Sequence, residues 1–543
     1  MAKTIMETVN LDALIEREDF DRLDDNNASS AAKLGRELYI ATLTPEDRLA
    51  VMRKPDFQRE TSGWSPEIVS EFIKSVADGD VVPALIMWRS PKSGNTFVID
   101  GAHRLSALVA WVNDDYGDGF FSRAFYERIS EQQIQTAQKT RALVEQKVGR
   151  YADLKRFAKE VRSAPSPLAI SRGQNILSNP LGVQPIEGDA RAAEHSYLRI
   201  NSTAVPISPT EVTLIDSRRL ATGIATRALM RAGRGYEYWS HFDEPQKSRI
   251  KETAALVYDQ LIRPITDYPI LALDLPTPSR GYSANSLKTI LDLVTILNAA
   301  PPGTKKNKAE DDLDGSGTVQ HLDQVRRVTE RVFGRKHSGS LAFHPALYCY
   351  DIRGKFVPKA LIGAIEFVRD LDNRKMFFEF TKHRKDFEDF LVRHSHIMTQ
   401  IGRSQGSGGR RGVSAVKTLY VSLFESLRAE KPEDEIIESM TSDRALEFLD
   451  WREPIENDGG EKFSKSDKAQ AVIRKALETD ICPECGGRLY IKDRSYDHDQ
   501  RKADGGKSVA SNVELMHPYC NTGYKEARAA KAKKAMNENE GAE

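Results

Sequence analysis

Two knuckles of soft ligands could hold a zinc ion: Cys482-Pro-Glu-Cys485 and His517-Pro-Tyr-Cys520. Zn²⁺ favours four thiolate or imidazole ligands in a tetrahedron, and two close pairs supply that number. Such a site clamps the ends of a roughly forty-residue unit too small to be stable on its own core. Between and beside the knuckles stand Asp497-His498, Gly505-Gly506, Asn512 and Asn521. A histidine provides a base near neutral pH, and oxygen donors suit a hard cation. A second group of residues, Asp100-Gly101-Ala102-His103-Arg104, follows the apolar run Thr96-Phe-Val-Ile99. A glycine at a strand-to-helix turn lets backbone N–H groups approach an anion, the helix N-terminus adds its positive end, and Arg104 can fork onto a phosphate. No Gly-x-x-x-x-Gly-Lys-Ser/Thr occurs, so any phosphate binding here works without a Walker loop.

These residues need elements to position them. Ser65 as cap, Pro66 in the first turn and Ile68, Val69, Phe72, Ile73 and Val76 at helical spacing predict a helix over 65–77. Residues 82–88 and 96–99 read as buried strands, and 105–112 as the helix after the Asp-Gly turn. Apolar spacing predicts further helices over 214–230, 246–261, 286–297, 319–332, 359–370, 385–397 and 415–427. Residues 301–317 read as an exposed loop. Residues 402–412, rich in Gly and Arg, read as a mobile basic segment that either closes over DNA or merely connects. Residues 453–466 read as a hinge, and a helix is predicted over 524–536, carrying Lys525, Arg528, Lys531, Lys533 and Lys534. Those cations either meet a DNA backbone or form a solvated face.

The order Asp497-His498, Gly505-Gly506, Asn512-Val-Glu-Leu515 and Cys520-Asn521 before a helix resembles the HNH endonucleases, whose ββα-metal fold often carries a zinc clamp. The resemblance implies His498 as general base, Asp497 and Asn521 as ligands of one Mg²⁺ or Mn²⁺, and Asn512 as the residue that fixes the loop and orients His498. Asn521 stands where other members carry His, and Asp499 is an alternative ligand to Asp497. The Gly101-x-x-Arg104 turn resembles the ParB/sulfiredoxin-like superfamily. With Asp56-Phe-Gln-Arg59, Trp64, Tyr197-Leu-Arg-Ile-Asn201 and Val205-Pro-Ile-Ser-Pro-Thr-Glu211, it looks like the N-terminal domain of GmrSD-type restriction enzymes and of SspE-type defence proteins. Their Asp-Gly-Gln-Gln-Arg turn has Ala102-His103 here in place of Gln-Gln. The likeness covers roughly residues 40 to 220. It implies nucleoside triphosphate binding, with hydrolysis left open, and candidate contacts at Gln58, Arg59, Asp100, Gly101, His103, Arg104 and Asn201.

At 543 residues the chain has room for several domains. Charged residues make up 29% and balance to zero, so there is no global polyanion-binding signature. Three of the four cysteines belong to the zinc set; Cys349 is left over as a buried thiol, a usage that fits a reducing cytoplasm. No segment reads as a signal peptide or a membrane span. The expectation is therefore an α+β multidomain chain: a ParB-like α/β domain over 1–235, a helical domain over 236–452, and a zinc-clamped HNH domain over 453–543. With the two resemblances it implies a cytoplasmic, metal-dependent DNA endonuclease of anti-phage defence. Its substrate would be double-stranded phage or modified DNA, and a homo-oligomer is compatible with it. The alternatives are a ParB-like DNA-binding regulator with a purely structural zinc module, and a nuclease directed at RNA.

Overall fold

The Thr96–Asp100 strand lies third in a six-stranded mixed sheet whose inside-outside alternation comes straight from its sequence. In the computed structural model, which describes residues 8–20, 34–58, 60–126, 129, 131–203, 209–262, 284–299, 310–334, 337–403, 409–452, 465–490, 493–500, 502 and 505–531, the strands are β1 (Arg17–Glu18), β2 (Glu37–Leu38), β3 (Met52–Pro55), β4 (Leu85–Arg89), β5 (Thr96–Asp100) and β6 (Leu181–Ile186). Their order is β1-β3-β5-β4-β6-β2. The β1–β3, β3–β5 and β4–β6 pairs are parallel, and β4–β5 and β2–β6 are antiparallel. Side chains alternate across a strand. Val98, Leu85 and Met87 face one core with the helices Pro66–Asp78 and Ala102–Asn113. Phe97, Ile99 and Trp88 face another with Phe20, Phe57, Tyr197 and Ile215. A sheet covered on both faces needs apolar residues at every position, which is why 96–99 has no polar break after Thr96.

The predicted 65–77 helix is present as Pro66–Asp78, with the Ser65 side chain accepting from the Ile68 N–H. The strand predicted over 82–88 starts later, at Leu85. Val81 is fully exposed, Pro83 has no N–H for a ladder, and Arg104 takes the carbonyls of Pro83 and Ala84. Beneath the sheet edge, Asp12 accepts from Lys54 Nζ (2.8 Å), Arg17 Nη2 (2.7 Å) and the Thr61 N–H (3.1 Å), with all three charged side chains buried. Burial pushes Lys54 down to about 8, although Asp12 works against it.

The chain forms two compact units, 1–218 with 234–240, and 219–233 with 241–543. The helix predicted over 214–230 is two: Pro209–Asp216 and Ala221–Met230. Leu220 is extended (φ −79°, ψ 146°), and the crossing from one unit to the other falls between Arg218 and Arg219. The second unit is mostly helical. Its core is aromatic, with Phe343 stacked on Tyr348 (4.0 Å) and Phe367 on Phe387 (5.6 Å), beside Phe380, Tyr420 and Phe424. The predicted 385–397 helix ends at Arg393 and a new one starts at His396, because His394 turns to meet Glu433 (2.8 Å). Of the two predicted loops, 301–309 and 404–408 lie outside the described residues, as does 453–464 of the hinge. Residues 310–315 are non-helical, with Asp312 accepting from the amides of Gly315, Gly317 and Thr318, while Gly409 already starts the helix Gly409–Arg428. No helix among the described residues is long and apolar enough to cross a membrane.

Candidate functional site: a thiol-imidazole cluster and a hairpin edge

Cys482, Cys485, His517 and Cys520 converge. Their ligand atoms all lie within 4.8 Å of one another, and all four residues are buried. The first pair is shaped by a tight knuckle, in which the Gly486 N–H donates to the Cys482 carbonyl (2.8 Å) and the Cys482 N–H to that of Gly487 (2.9 Å). The second pair sits where the chain enters a helix running over 518–531, with a π-helical turn at Cys520–Tyr524. His517 Nδ1 faces Cys485 Sγ (3.3 Å) and Cys520 Sγ (3.7 Å), while Nε2 meets the Arg488 carbonyl (3.0 Å). A ring so held presents Nδ1 as the ligand atom and donates its other N–H to an acceptor, the usual second contact of a metal-bound histidine. Hydrogen bonds from the Cys485 and Cys520 thiols pull the Cys482 thiol below its ordinary value, and the neighbouring Cys482 pushes Cys485 up to about 12. Three sulfurs and one imidazole nitrogen packed this closely fit a tetrahedral zinc ion.

Between the knuckles, β7 (Ser495–His498) and β8 (Val513–Met516) form an antiparallel hairpin that leads into the 518–531 helix. Asp497 pairs in register with Glu514, and His498 with Val513. Asp497 Oδ1 accepts from the His498 N–H (2.8 Å) and Oδ2 from Lys525 Nζ (2.8 Å). Burial works to raise this carboxyl, but Lys525 and the His498 amide outweigh it and hold it below its usual range. His498 Nε2 meets Ser508 Oγ at 2.9 Å. Asn521 donates through Nδ2 to Ser495 Oγ (2.8 Å) and the Tyr496 carbonyl (3.3 Å), which ties the helix to β7. Asn512 closes the loop between the strands: it accepts from the Gln500 N–H (2.7 Å) and donates to the carbonyls of Gln500 (3.0 Å) and Lys507 (2.9 Å). Gly505 in that loop has φ +84°, a conformation that favours glycine.

In the other unit, β5 delivers Asp100 to the start of the Ala102–Asn113 helix. Gly101 sits there at φ +92°, and a Cβ on it would lie 2.5 Å from Leu85. Arg104 binds Asp100 (2.8 Å) and the carbonyl of Ala84 (3.3 Å), so a phosphate would have to replace partners already in place. His103 lies against the Trp64 ring (5.8 Å between centroids). Buried Gln58 donates to the Ile99 carbonyl (3.3 Å), and its Oε1 has no partner. Arg59 and the side chain of Asn201 lie outside the described residues. Residues 42–216 match the family model described as "GmrSD restriction endonuclease, N-terminal domain". The matched stretch holds the sheet strands from β3 to β6 and the Asp100–Arg104 turn, and covers about a third of the chain. Comparison with curated proteins and with solved structures returned no match.

The cations of the 518–531 helix each have a carboxylate partner within the unit. Lys525 pairs with Asp497, Arg528 with Glu484 (3.0 Å) and Lys531 with Glu379 (3.7 Å), and of the three Lys525 is the one more than four-fifths covered. Residues 532–536 of the predicted tail lie outside the described residues. Ser508 escaped the sequence reading, and Glu514 entered it only as part of the 512–515 segment, with no role. Nothing in their type marks them; the hairpin register brings Glu514 to Asp497, and the loop before Asn512 brings Ser508 to His498. Also beyond that reading is a cleft of about 1030 Å³ lined by Gln246, Arg249, Leu297, Val319, Gln324 and Arg327, among others. None of the candidate residues lines it.

Proposed function

We propose that this chain is a metal-dependent DNA endonuclease of the restriction type, acting in the cytoplasm against phage or modified DNA. The reading is carried by one arrangement: Asp497, His498, Asn512 and Asn521 share the edge of a hairpin and the helix that follows it, beside a Cys₃His cluster suited to zinc. The match of residues 42–216 to the N-terminal domain of a restriction endonuclease supports the same class. In this reading 453–543 is the HNH nuclease, 236–452 a helical domain, and 1–235 a nucleotide-sensing domain contacting its ligand through Gln58, Arg59, Asp100, Gly101, His103, Arg104 and Asn201.

The residues divide the chemistry as follows. The zinc set is structural and fixes the hairpin against the helix. His498 Nε2 is engaged by Ser508, which steadies the ring, and the imidazole takes the proton of a water molecule as its oxygen bonds to the scissile phosphorus. The P–O bond to the 3′ oxygen breaks as that bond forms. Asp497 and the Asn521 side-chain oxygen would hold Mg²⁺ or Mn²⁺, which when bound stabilises charge on the phosphate and the leaving oxygen. Asn512 keeps the 499–511 loop, and with it Ser508, in place.

The test is nicking of supercoiled plasmid and modified phage DNA by the full chain and its His498→Ala variant, with Mg²⁺ or Mn²⁺, with and without nucleoside triphosphates. Loss of a general base costs about 10²–10⁴ in rate, so the variant's cutting should vanish in an ordinary assay. Equal cutting by both proteins, or none by either under every condition, sinks the reading. The second outcome favours a DNA-binding regulator with a structural zinc module.

A further inference from the structure

The metal reading of the hairpin edge raises the question of what occupies Asp497 before the ion arrives. Lys525 follows Asn521 by four residues in one helix, so the two side chains share a face. The Lys525 ammonium lies 2.8 Å from Asp497 Oδ2, while the His498 N–H occupies Oδ1 at 2.8 Å. Both partners are only partly open to solvent: Lys525 is 18% and Asp497 23% exposed. The surroundings are acidic. Glu514 stands opposite Asp497 in the hairpin register, and Asp499, Glu484 and Asp497 all act on it electrostatically. Four carboxylates (Asp497, Asp499, Glu484, Glu514) face two cations (Lys525, Arg528), and 4 − 2 leaves two negative charges. That excess suits one divalent ion, yet the oxygen such an ion needs already carries an ammonium.

We propose that Lys525 sets the divalent-ion affinity of the Asp497/Asn521 site by competing for Asp497, and that a DNA phosphate relieves this competition. An ammonium and a divalent cation on the same carboxylate oxygen repel strongly at this spacing, so loading requires Lys525 to leave. Its replacement partner is the class of anion the nuclease acts on, a backbone phosphate, which a lysine meets as a point charge. Metal loading and DNA binding are thereby coupled, and by linkage each strengthens the other. Lys525 is thus a positioning residue that acts through Asp497.

The inference rests on the metal-dependent nuclease reading, and the experiment separates the two. Mn²⁺ binding is titrated by electron paramagnetic resonance on the full, zinc-loaded chain in a His498→Ala background, which cannot cut, with and without a short DNA duplex. Lys525→Met should bind Mn²⁺ about tenfold more tightly than the parent without DNA, and DNA should add little further. The parent should gain affinity on adding DNA, and Lys525→Arg should behave as the parent. Equal zinc content across the variants controls for folding. Unchanged or weaker Mn²⁺ binding in Lys525→Met overturns the competition. If Asp497→Asn binds Mn²⁺ as the parent does, the ion sits elsewhere, and the metal assignment itself has failed.

Discussion

Replacing Glu388 with leucine should be among the most damaging single changes in the second unit. Its carboxylate and the Arg384 guanidinium are both 0% exposed and meet at 2.7 Å. Glu388 also accepts from the Arg488 N–H (2.7 Å) and the Tyr348 hydroxyl (3.3 Å), and Arg384 donates to the Leu341 carbonyl (2.6 Å). Removing one partner of a buried pair strands the other charge, at a cost of about 3–5 kcal/mol. For a unit of this size that is a fall in unfolding temperature of roughly 5–7 °C. Replacing both, as Arg384→Met with Glu388→Leu, should recover much of the loss, because the uncompensated charge disappears with its partner. The effect reaches the metal. Arg488, whose N–H Glu388 holds, also offers through its carbonyl the partner of His517 Nε2. Glu388 is one link further out than the carbonyl that holds His517, so the Glu388→Leu chain should release zinc to a chelator more readily, by less than the about 10–100-fold that losing a ligand's direct partner costs. Thermal unfolding of the two single variants and the double, with zinc release measured alongside, makes a complete cycle. A single-variant loss under about 1 kcal/mol, or a double variant as unstable as the sum of the singles, refutes the reasoning.

Three further outcomes follow from the same geometry. Lys54, pushed down to about 8 by burial against its ordinary 10.5, holds fewer protons folded than unfolded between those values, so the stability of the first unit should rise by about 3 kcal/mol from pH 8 to 10.5. Burial raises Tyr116 and Tyr236 well above their usual 10, which withdraws stability above pH 10. Denaturant midpoints against pH should therefore peak near 10, and Lys54→Met should erase the rise; a flat profile in the parent contradicts it. Asn512→Ala removes three hydrogen bonds that close an exposed loop, and should speed amide exchange over 499–511 and slow cutting while leaving the global melting temperature within a degree or two. Cys482→Ser should abolish zinc binding and open the 493–517 segment to protease while the helical core of the unit stays folded, and full protection without zinc would count against a structural ion.

What the sequence made legible was whatever short-range spacing encodes. The two knuckles were visible because the zinc geometry demands close pairs, and the Pro66–Asp78 helix because a serine cap and a proline at the first turn announce it. Two-residue strands such as β1 and β2 carry no period to read. The Asp12–Arg17–Lys54 cluster was invisible because its members are separated by up to 42 residues and none is unusual alone. The break at Leu220 was hidden for the opposite reason: apolar spacing continues on both sides of it, across the extended Leu220 where one unit gives way to the next. The basic helix was read by composition as facing either DNA or water, whereas Lys525, Arg528 and Lys531 each find a carboxylate that composition cannot locate.

The candidate catalytic residues sit on an element that could not stand alone. A hairpin of two four-residue strands is marginal in water, and its small core, Leu489 and Met516 with three of the zinc ligands, is itself the metal site. Its other support comes from the helical body of the same unit. Glu388 and Asp389 grip Arg488, Tyr519 packs on Phe377 (5.5 Å), the Tyr519 N–H reaches the Ser340 carbonyl (3.0 Å), and Phe378 lies under both Tyr524 (5.0 Å) and Lys531 (3.6 Å). These contacts anchor Arg488 of the knuckle and the 518–531 helix to the 340 and 377–389 segments, so the body holds both flanks of the hairpin while the Cys/His cluster joins them from within. Asp497 and Asn521 are held at a fixed spacing only if both supports are in place. An isolated C-terminal fragment with zinc bound should therefore keep its knuckle and lose the register of its hairpin, and the Tyr496-to-Asn521 hydrogen bond should be among the first to go.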